Sequence, residues 1–288
     1  MKKIMIRIAL FAACFIGLGF FCESQTKGFR LQEILSDIPN NPAWDVDPLS
    51  IEQQREVVDN LSQKFRYLGS GNQSHAFLGE DGKTVLKFFR HNDLSLMKIL
   101  KKFSPEKWLW HLTTKFDPRG VFDSCRLAYV DLQDQTAISY LHINKTRNLF
   151  KPVVLVDHSG VSHTVELDQM EFMVQDYCQL ATGRIAAQMK SKDVEGAKAT
   201  IQALFAAIED WSKRGVHIEN PALKRNIGFC GDKVIMFDVG SLRKDTSEMT
   251  PEQIKREVKH VTRALGRWIG KKYPELHSCF EQELAKEI

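Results

Sequence analysis

The chain has 288 residues and a formal net charge of +4. Its hydrophobic content of 43% and charged content of 26% are ordinary for a globular protein with one large or two modest domains, and they exclude extensive disorder. Basic and acidic residues are mixed along the chain, so we expect no nucleic-acid-binding face.

The first 24 residues differ in character from the rest. Two lysines and an arginine precede an apolar run that ends at Cys22, and polarity resumes at Glu23. A charged region followed by an apolar run of this length is typical of a signal peptide and is short for a membrane-spanning helix. We therefore predict a signal peptide or membrane anchor over residues 1–24, and an exported or membrane-anchored protein. The alternative is a buried N-terminal helix. Cleavage, lipidation at Cys22 and retention all stay open.

A polar, proline-bearing stretch over residues 25–50 predicts a tether between this segment and the folded region. The apolar spacing over residues 51–64 then predicts a helix. Three short segments, near residues 65–68, 74–78 and 83–89, are separated by glycine turns, which predicts three successive strands.

Gly69 and Gly71 lie in the turn between the first two of these strands. Without a Cβ atom, such residues let backbone amides approach a polyphosphate closely. Lys87, on the third strand, is a cation that could meet the same phosphates. The alternative is an ordinary β-hairpin whose lysine protects the edge of the sheet.

The middle of the chain predicts helices and then strands. Residues 91–140 have helical character interrupted at Pro105 and Pro118. Alternating segments at 137–143, 153–156, 161–167 and 171–175 predict antiparallel strands that complete a sheet of about five strands. Apolar spacing over 194–213 predicts a helix with one buried face, and one or two amphipathic helices are predicted over 250–288.

A hairpin between these helical regions joins two polar residues. Asn226 precedes a short apolar strand with a Gly-Asp turn, and Asp238 follows the return strand over 234–237. Pairing of the strands would bring the amide and the carboxylate together. Mg²⁺ prefers such oxygen ligands, and it is commonly bound by protein oxygens together with phosphate oxygens of the substrate. The alternative is that Asn226 caps a turn and Asp238 starts a loop before Gly240.

The order of polar residues around this hairpin resembles that of the protein-kinase superfamily, including its small-molecule and lipopolysaccharide kinases. The residues that resemble the catalytic loop and the D-F-G segment are His217, Glu219, Asn226 and Asp238-Val239-Gly240. The resemblance implies that Asn226 and Asp238 hold Mg²⁺ and that Glu219 is the catalytic base. Pro221 stands five residues before Asn226, where the family has its catalytic aspartate, and Val239 replaces the D-F-G phenylalanine.

The glycine turn extends the resemblance toward the N-terminus. Gly69 and Gly71 resemble the loop that covers the phosphates, with Ser74 in place of its third glycine. The resemblance implies that Lys87 contacts the α and β phosphates of ATP and pairs with an acid from a following helix. The acids that could do so are Glu106, Asp123, Asp131 and Asp134, and the sequence does not choose among them.

The cysteines beyond the leader indicate neither a zinc site nor a redox motif, because they are widely spaced and form no C-x-x-C pair. These residues are Cys125, Cys178, Cys230 and Cys279. An exported chain permits disulfides between them but does not demand any. We expect most of them to be buried small apolar residues.

These features predict an α+β, protein-kinase-like fold with two lobes. An antiparallel N-lobe is predicted over 51–178 and a small, mainly helical C-lobe over 179–288. The predicted function is transfer of phosphate from ATP–Mg²⁺ to an unknown acceptor. The alternative is a catalytically inactive, pseudokinase-like binding module, exported or tethered to a membrane. Export would place the site where no ATP pool is maintained, unless the leader is not used or a host supplies ATP.

Overall fold

A computed structural model describes residues 2–27, 29–91, 118–218, 223–245 and 249–286 of the chain. The chain divides into two compact units. The first contains Met1–Pro118 and His142–Val174, and the second contains Arg119–Leu141 and Gln175–Ile288. The content of helices and strands confirms the predicted α+β class. The kinase-like lobes, with their boundary at residue 178, stay a prediction.

In the described residues the longer helices and strands follow the order predicted from the sequence, with small shifts at their ends. The short strands at Gln179–Leu180, Val216–Ile218 and Leu242–Lys244 were not predicted, and residues 92–117 of the predicted helical region lie outside the described residues. The α-helices are α1 Lys2–Thr26, α2 Ile51–Leu61, α3 Pro118–Asp131, α4 Gln133–Thr136, α5 Ala181–Lys190, α6 Val194–Lys213, α7 Leu223–Asn226, α8 Pro251–Lys272 and α9 His277–Ala285. The strands are β1 Lys64–Ser70, β2 Ser74–Gly79, β3 Thr84–Phe89, β4 Ile138–His142, β5 Val153–Val156, β6 Ser162–Val165, β7 Phe172–Asp176, β8 Gln179–Leu180, β9 Val216–Ile218, β10 Ile227–Cys230, β11 Lys233–Met236 and β12 Leu242–Lys244.

The largest sheet has seven strands in the order β4-β7-β3-β2-β1-β5-β6. The prediction of a wholly antiparallel sheet of about five strands was wrong, because β1 and β5 pair in parallel, with Phe65 opposite Leu155. A parallel pair requires a long crossover between its strands. Here that crossover includes β2 and β3, which pair with each other, and β2 also pairs with β1, as predicted.

Aromatic side chains form the core of the first unit. Phe77 makes edge contacts with Phe29 and Phe88, at centroid distances of 5.1 and 6.0 Å. Phe88 in turn contacts Phe172, at a centroid distance of 6.2 Å. Phe29 belongs to the stretch predicted as a tether, which packs onto this unit through further buried side chains. Ile34 and Trp44 of the same stretch are buried as well. The polar composition of the stretch obscured these few apolar contacts.

The second unit is built around α6, whose predicted buried face is confirmed. Ile201, Leu204 and Ile208 are almost completely buried, and α6 packs against α8 and α9. Thr250 begins α8 with a capping box, in which its hydroxyl accepts the amide of Gln253. In addition, α6 contacts β11, the strand before Asp238, and α8 contacts α7, which ends at Asn226.

The predicted leader forms the helix α1. Large apolar side chains along it, including Phe11, Phe15 and Leu18, are exposed. Within the described part of the chain, no helix has both the length and the apolar character needed to cross a membrane.

Candidate functional site

The hairpin that carries the predicted metal ligands is confirmed. Strands β10 and β11 pair in an antiparallel register that sets Ile227 opposite Met236 and Cys230 opposite Lys233. The two residues between the strands are the predicted Gly-Asp turn, and Gly231 has a φ of +60°. A glycine adopts this left-handed conformation without steric cost, which explains its place in a two-residue turn.

Asn226 and Asp238 lie side by side at the open end of this hairpin. The backbone amide of Phe237 donates to the carbonyl oxygen of Asn226 at 2.7 Å, which extends the pairing by one step. The Asn226 side-chain amide donates to Oδ2 of Asp238 at 3.2 Å. Asp238 also accepts the Gly240 amide on Oδ1, at 3.4 Å. The sequence distance of twelve residues is thus closed by strand pairing alone.

The donor set of this pair fits Mg²⁺. The Asp238 residue is exposed, so its carboxylate is accessible from solvent. Rotation of the Asn226 amide would turn its oxygen to the side now occupied by its nitrogen. Two protein oxygens suffice for Mg²⁺, because this ion keeps several waters and takes further ligands from phosphates. The described residues contain no cluster of three His, Cys, Asp or Glu side chains for a metal held by protein alone.

Ser124 of α3 positions the chain just after Asp238, a role that the sequence did not predict. Its buried hydroxyl donates toward the carbonyl oxygens of Val239 and Leu242, at 2.5 and 3.0 Å. The same oxygen accepts the Leu242 amide at 2.7 Å. The segment that resembles D-F-G is therefore anchored to a helix. No local pattern marks a serine for such a contact, since its partners lie more than a hundred residues away.

Gly71 lies in the turn between β1 and β2 as predicted, whereas Gly69 lies within β1, opposite Ala76 of β2. A Cβ atom on Gly69 would meet nothing within 4 Å, and one on Gly71 would meet only the Ser74 carbonyl oxygen at 3.9 Å. The backbone is therefore open to a bulky ligand on that side. The Gly71 amide donates to this same Ser74 oxygen at 2.8 Å. A phosphate would gain that amide only if the turn opened.

Lys87 lies on β3, half-buried, with Ala76 of β2 as its cross-strand partner. It belongs to the same unit as the glycine turn, whereas Asn226 and Asp238 belong to the other unit. Two of the acids considered as partners for Lys87 bind other lysines. These are Asp131, which contacts Lys244 at 3.1 Å, and Asp134, which contacts Lys233 at 2.8 Å. Asp123 lies on α3, and Glu106 falls outside the described residues.

Glu219, the predicted base, also lies outside the described residues, and its role stays a prediction. The chain is described up to Ile218, at the end of β9. His217 on this strand has its Nδ1 atom 3.9 Å from Glu257 of α8. The Ile218 amide donates to the same carboxylate at 3.2 Å. The strand that leads into the predicted catalytic loop is thus held by α8.

Cys178 and Cys230 form a disulfide. The antiparallel register of β8 and β10 sets Gln179 opposite Phe229. Cys178, just before Gln179, therefore comes opposite Cys230, just after Phe229. The sequence permitted a disulfide but did not identify the pair, because the two residues are 52 positions apart. The expectation of buried small residues holds for Cys125 and Cys279, whereas the disulfide-bonded Cys178 and Cys230 are only half-buried.

Comparisons with known proteins give only distant similarities. No protein-family model matches the chain, and no curated protein matches it. It is similar to the bifunctional kinase-methyltransferase WbdD, at 14% identity over 73% of this chain and 42% of that chain, with a TM-score of 0.33. The high-resolution structure of WbdD gives 14% identity over 78% and 47%, with a TM-score of 0.35. The chain thus spans less than half of the length of WbdD.

A further similarity covers nearly the whole chain. It is to Rv3197 from Mycobacterium tuberculosis, solved in complex with erythromycin, at 13% identity over 99% of this chain and 75% of that chain. The TM-score is 0.31. Similarities at this level assign neither a family nor a function. The functional argument therefore rests on the residues of the candidate site.

Proposed function

We propose that this chain is a kinase-like phosphotransferase that transfers phosphate from ATP–Mg²⁺ to an acceptor still to be identified. The observation that carries the proposal is the pairing of Asn226 and Asp238 at the end of the β10–β11 hairpin. In this proposal the two side chains hold Mg²⁺, which neutralises charge on the β and γ phosphates. Gly69 and Gly71 cover the phosphates, and Lys87 binds them.

The remaining step is assigned to Glu219. A carboxylate that accepts the proton of an acceptor hydroxyl would orient that hydroxyl toward the γ phosphate. Most of the catalytic effect would come from positioning and charge neutralisation, since phosphoryl transfer needs little covalent chemistry from the protein.

The proposal is tested by calorimetric measurement of ATP binding to the full-length protein, with and without Mg²⁺. We expect binding only with Mg²⁺. Lys87→Ala and Asp238→Ala should each weaken it at least about tenfold, the usual effect of losing one hydrogen bond to a charged group. Matched controls are Lys83→Ala, at the turn before β3, and Asp232→Ala, at the opposite end of the same hairpin, and both should bind like the wild type.

Two outcomes would change the proposal. A folded wild-type protein that binds no nucleotide at millimolar concentration would contradict it. Binding that requires Lys87 and Asp238, without phosphate transfer to water or to any sugar or lipid acceptor, would support the pseudokinase-like binding module instead. Pro221, at the position where the family has its aspartate, is the observation that favours this second function.

A further inference from the structure

A chain of hydrogen-bonded polar side chains leads into the first unit from the glycine turn. Ser70, between Gly69 and Gly71, has its hydroxyl 2.5 Å from Nδ1 of His75. On the other side of the ring, Nε2 of His75 lies 2.8 Å from Oε2 of Glu33. Serine, imidazole and carboxylate are thus connected in the order found in nucleophilic serine sites, where histidine removes the proton of the serine.

The carboxylate end of this chain is buried and lies in an ion pair. The side chains of His75 and Glu33 are 0% and 1% exposed. Arg90 contacts the same Oε2 atom of Glu33 at 3.2 Å. A carboxylate paired with a guanidinium accepts hydrogen bonds only, so the imidazole donates to it from Nε2. The other ring nitrogen, Nδ1, faces the Ser70 hydroxyl.

The serine end is open. Ser70 is exposed, and the space beside the preceding Gly69 is empty, since a Cβ atom there would meet no atom within 4 Å. The hydroxyl of Tyr67 lies 2.7 Å from the Ser70 oxygen. The Tyr67 hydroxyl also donates to the Lys27 carbonyl oxygen, at 3.2 Å. When Ser70 donates to His75, its oxygen keeps at least one lone pair for an electrophile.

A second buried histidine–glutamate pair in the same unit shows a different order. His91 lies 3.0 Å from Oε2 of Glu171, and Ser36 donates to Oε1 of the same carboxylate at 2.9 Å. The serine there bonds the acid rather than the imidazole. Both pairs hold the segment after α1 against the first unit. Because the second pair does this with serine on the carboxylate, holding the segment does not by itself explain why serine bonds the imidazole at Ser70.

We propose that Ser70 is a nucleophile that accepts a phosphoryl group, with His75 as its general base and Glu33 as the residue that positions His75. A cation beside the turn favours an anionic electrophile at this point. Arg90 donates to the carbonyl oxygen of Gly71, the residue after Ser70, at 3.2 Å. The inference rests on the proposed function for its physiological donor, a nucleoside triphosphate bound over the glycine turn.

The transfer step is balanced within these groups and the donor. The Ser70 oxygen forms a bond to the γ phosphorus, and the bridging P–O bond to the β phosphate breaks. The serine proton moves to Nδ1 of His75, and the resulting imidazolium is stabilised by Glu33. The nucleoside diphosphate leaves with the electrons of the broken bond, and the product is phosphoserine at position 70.

The nucleophile is tested without nucleotide by reaction of the full-length protein with a fluorophosphonate, a tetrahedral phosphorus electrophile whose P–F bond breaks. Mass spectrometry of peptides identifies the modified residue. We expect modification of Ser70 in the wild type and none at that position in Ser70→Ala. His75→Gln should slow the reaction at least about 100-fold, the lower range for general-base catalysis. Ser36→Ala, at the second histidine–glutamate pair, is the matched control and should react at the wild-type rate.

A positioning role for Glu33 is tested by the pH profile of the wild-type reaction, which should rise as His75 loses its proton. Glu33→Gln should shift this rise to lower pH, because the imidazolium loses its carboxylate. A structural role alone would lower stability without moving the profile. Thermal unfolding of each variant identifies loss of the fold. The pH profile of the wild type tests the role of His75 without any substitution that could unfold the protein.

The outcomes separate this inference from the proposed function. A folded wild type that binds ATP but is not modified at Ser70 overturns the inference and leaves the function intact. Modification of Ser70 at the wild-type rate in folded His75→Gln also overturns it. Modification of Ser70 in a protein that binds no ATP supports the nucleophile and contradicts the proposed function.

Discussion

Ser124 anchors the chain after Asp238 through a single hydroxyl. Replacement by alanine would leave the Leu242 amide and the Val239 carbonyl oxygen without this buried partner. We expect Ser124→Ala to lower the free energy of unfolding by about 1–3 kcal/mol, the cost of unsatisfied buried groups. Urea unfolding measures this, and calorimetry with ATP–Mg²⁺ should show weaker binding.

The control for this prediction is Ser191→Ala at the end of α5. Its hydroxyl donates to the Gln188 carbonyl oxygen in an exposed position, where water can replace it. Its loss should cost little stability and leave binding unchanged. A Ser124→Ala variant as stable as Ser191→Ala would show that the segment after Asp238 does not depend on this anchor.

Asp81, in the turn between β2 and β3, has a strongly lowered pKa. Burial acts to raise the pKa, but hydrogen bonds from Gln63, Thr84 and the Lys83 amide outweigh it and lower it from 3.8 to about 2. A carboxylate with a lower pKa in the folded state stabilises the fold above the unfolded pKa, and this contribution disappears as pH falls from about 4 to 2.

Asp81→Asn should therefore destabilise the protein at pH 7, by about 1 kcal/mol, since solvent screens this mostly exposed carboxylate. The difference in unfolding free energy between Asp81→Asn and the wild type should become smaller as the pH approaches the lowered pKa of Asp81. Chemical unfolding at several pH values measures both effects. Asp37→Asn, in the segment before α2, is the control, and a difference independent of pH would contradict the assigned hydrogen bonds.

At the scale of elements, the disulfide joins β8 to the hairpin that carries Asn226 and Asp238. It closes a loop between positions 52 residues apart, which restricts the unfolded chain. The double variant Cys178→Ser/Cys230→Ser should lose about 2–4 kcal/mol of unfolding free energy. Urea unfolding with and without a reductant measures the loss.

The reductant provides the control for the disulfide. Wild type should lose the same stability when reduced, whereas the double variant should not respond, because Cys125 and Cys279 are already buried thiols. A wild type that is equally stable in oxidising and reducing buffer would contradict a contribution of this bond to the fold.

For the whole molecule, export stays a prediction that can be tested directly. A disulfide is expected to persist in an oxidising compartment, which agrees with a leader over residues 1–24. Fusion of residues 1–50 to bacterial alkaline phosphatase, which is active only where its disulfides form, should give activity outside the cytoplasm. Phe15→Arg, which interrupts the apolar run, should abolish it. Equal activity of both fusions would contradict a leader of this kind.

Much of the local structure was predictable. The β10–β11 hairpin, the strands around Gly69 and Gly71, and the buried face of α6 depend on alternation, turn residues and helical spacing, all of which operate over a few residues. The mixed sheet was not predictable, because strand direction depends on the long crossover before β5. The burial of Phe29 and Trp44 was not predictable either, because these residues stand singly in a polar stretch and their partners are distant in the sequence.

The sequence by itself determined most of the longer helices and strands of the described residues and brought Asn226 and Asp238 together, since strand pairing across a two-residue turn is a local property. Only the tertiary structure decided the partners of Ser124, the Cys178–Cys230 bond and the link from Ser70 through His75 to Glu33. The contacts of Ser124, the disulfide and the His75–Glu33 contact join residues that are distant in the sequence. The Ser70–His75 contact joins opposite residues of paired strands. The physical reason is that burial and register choose such partners, and neither is encoded by spacing along the chain.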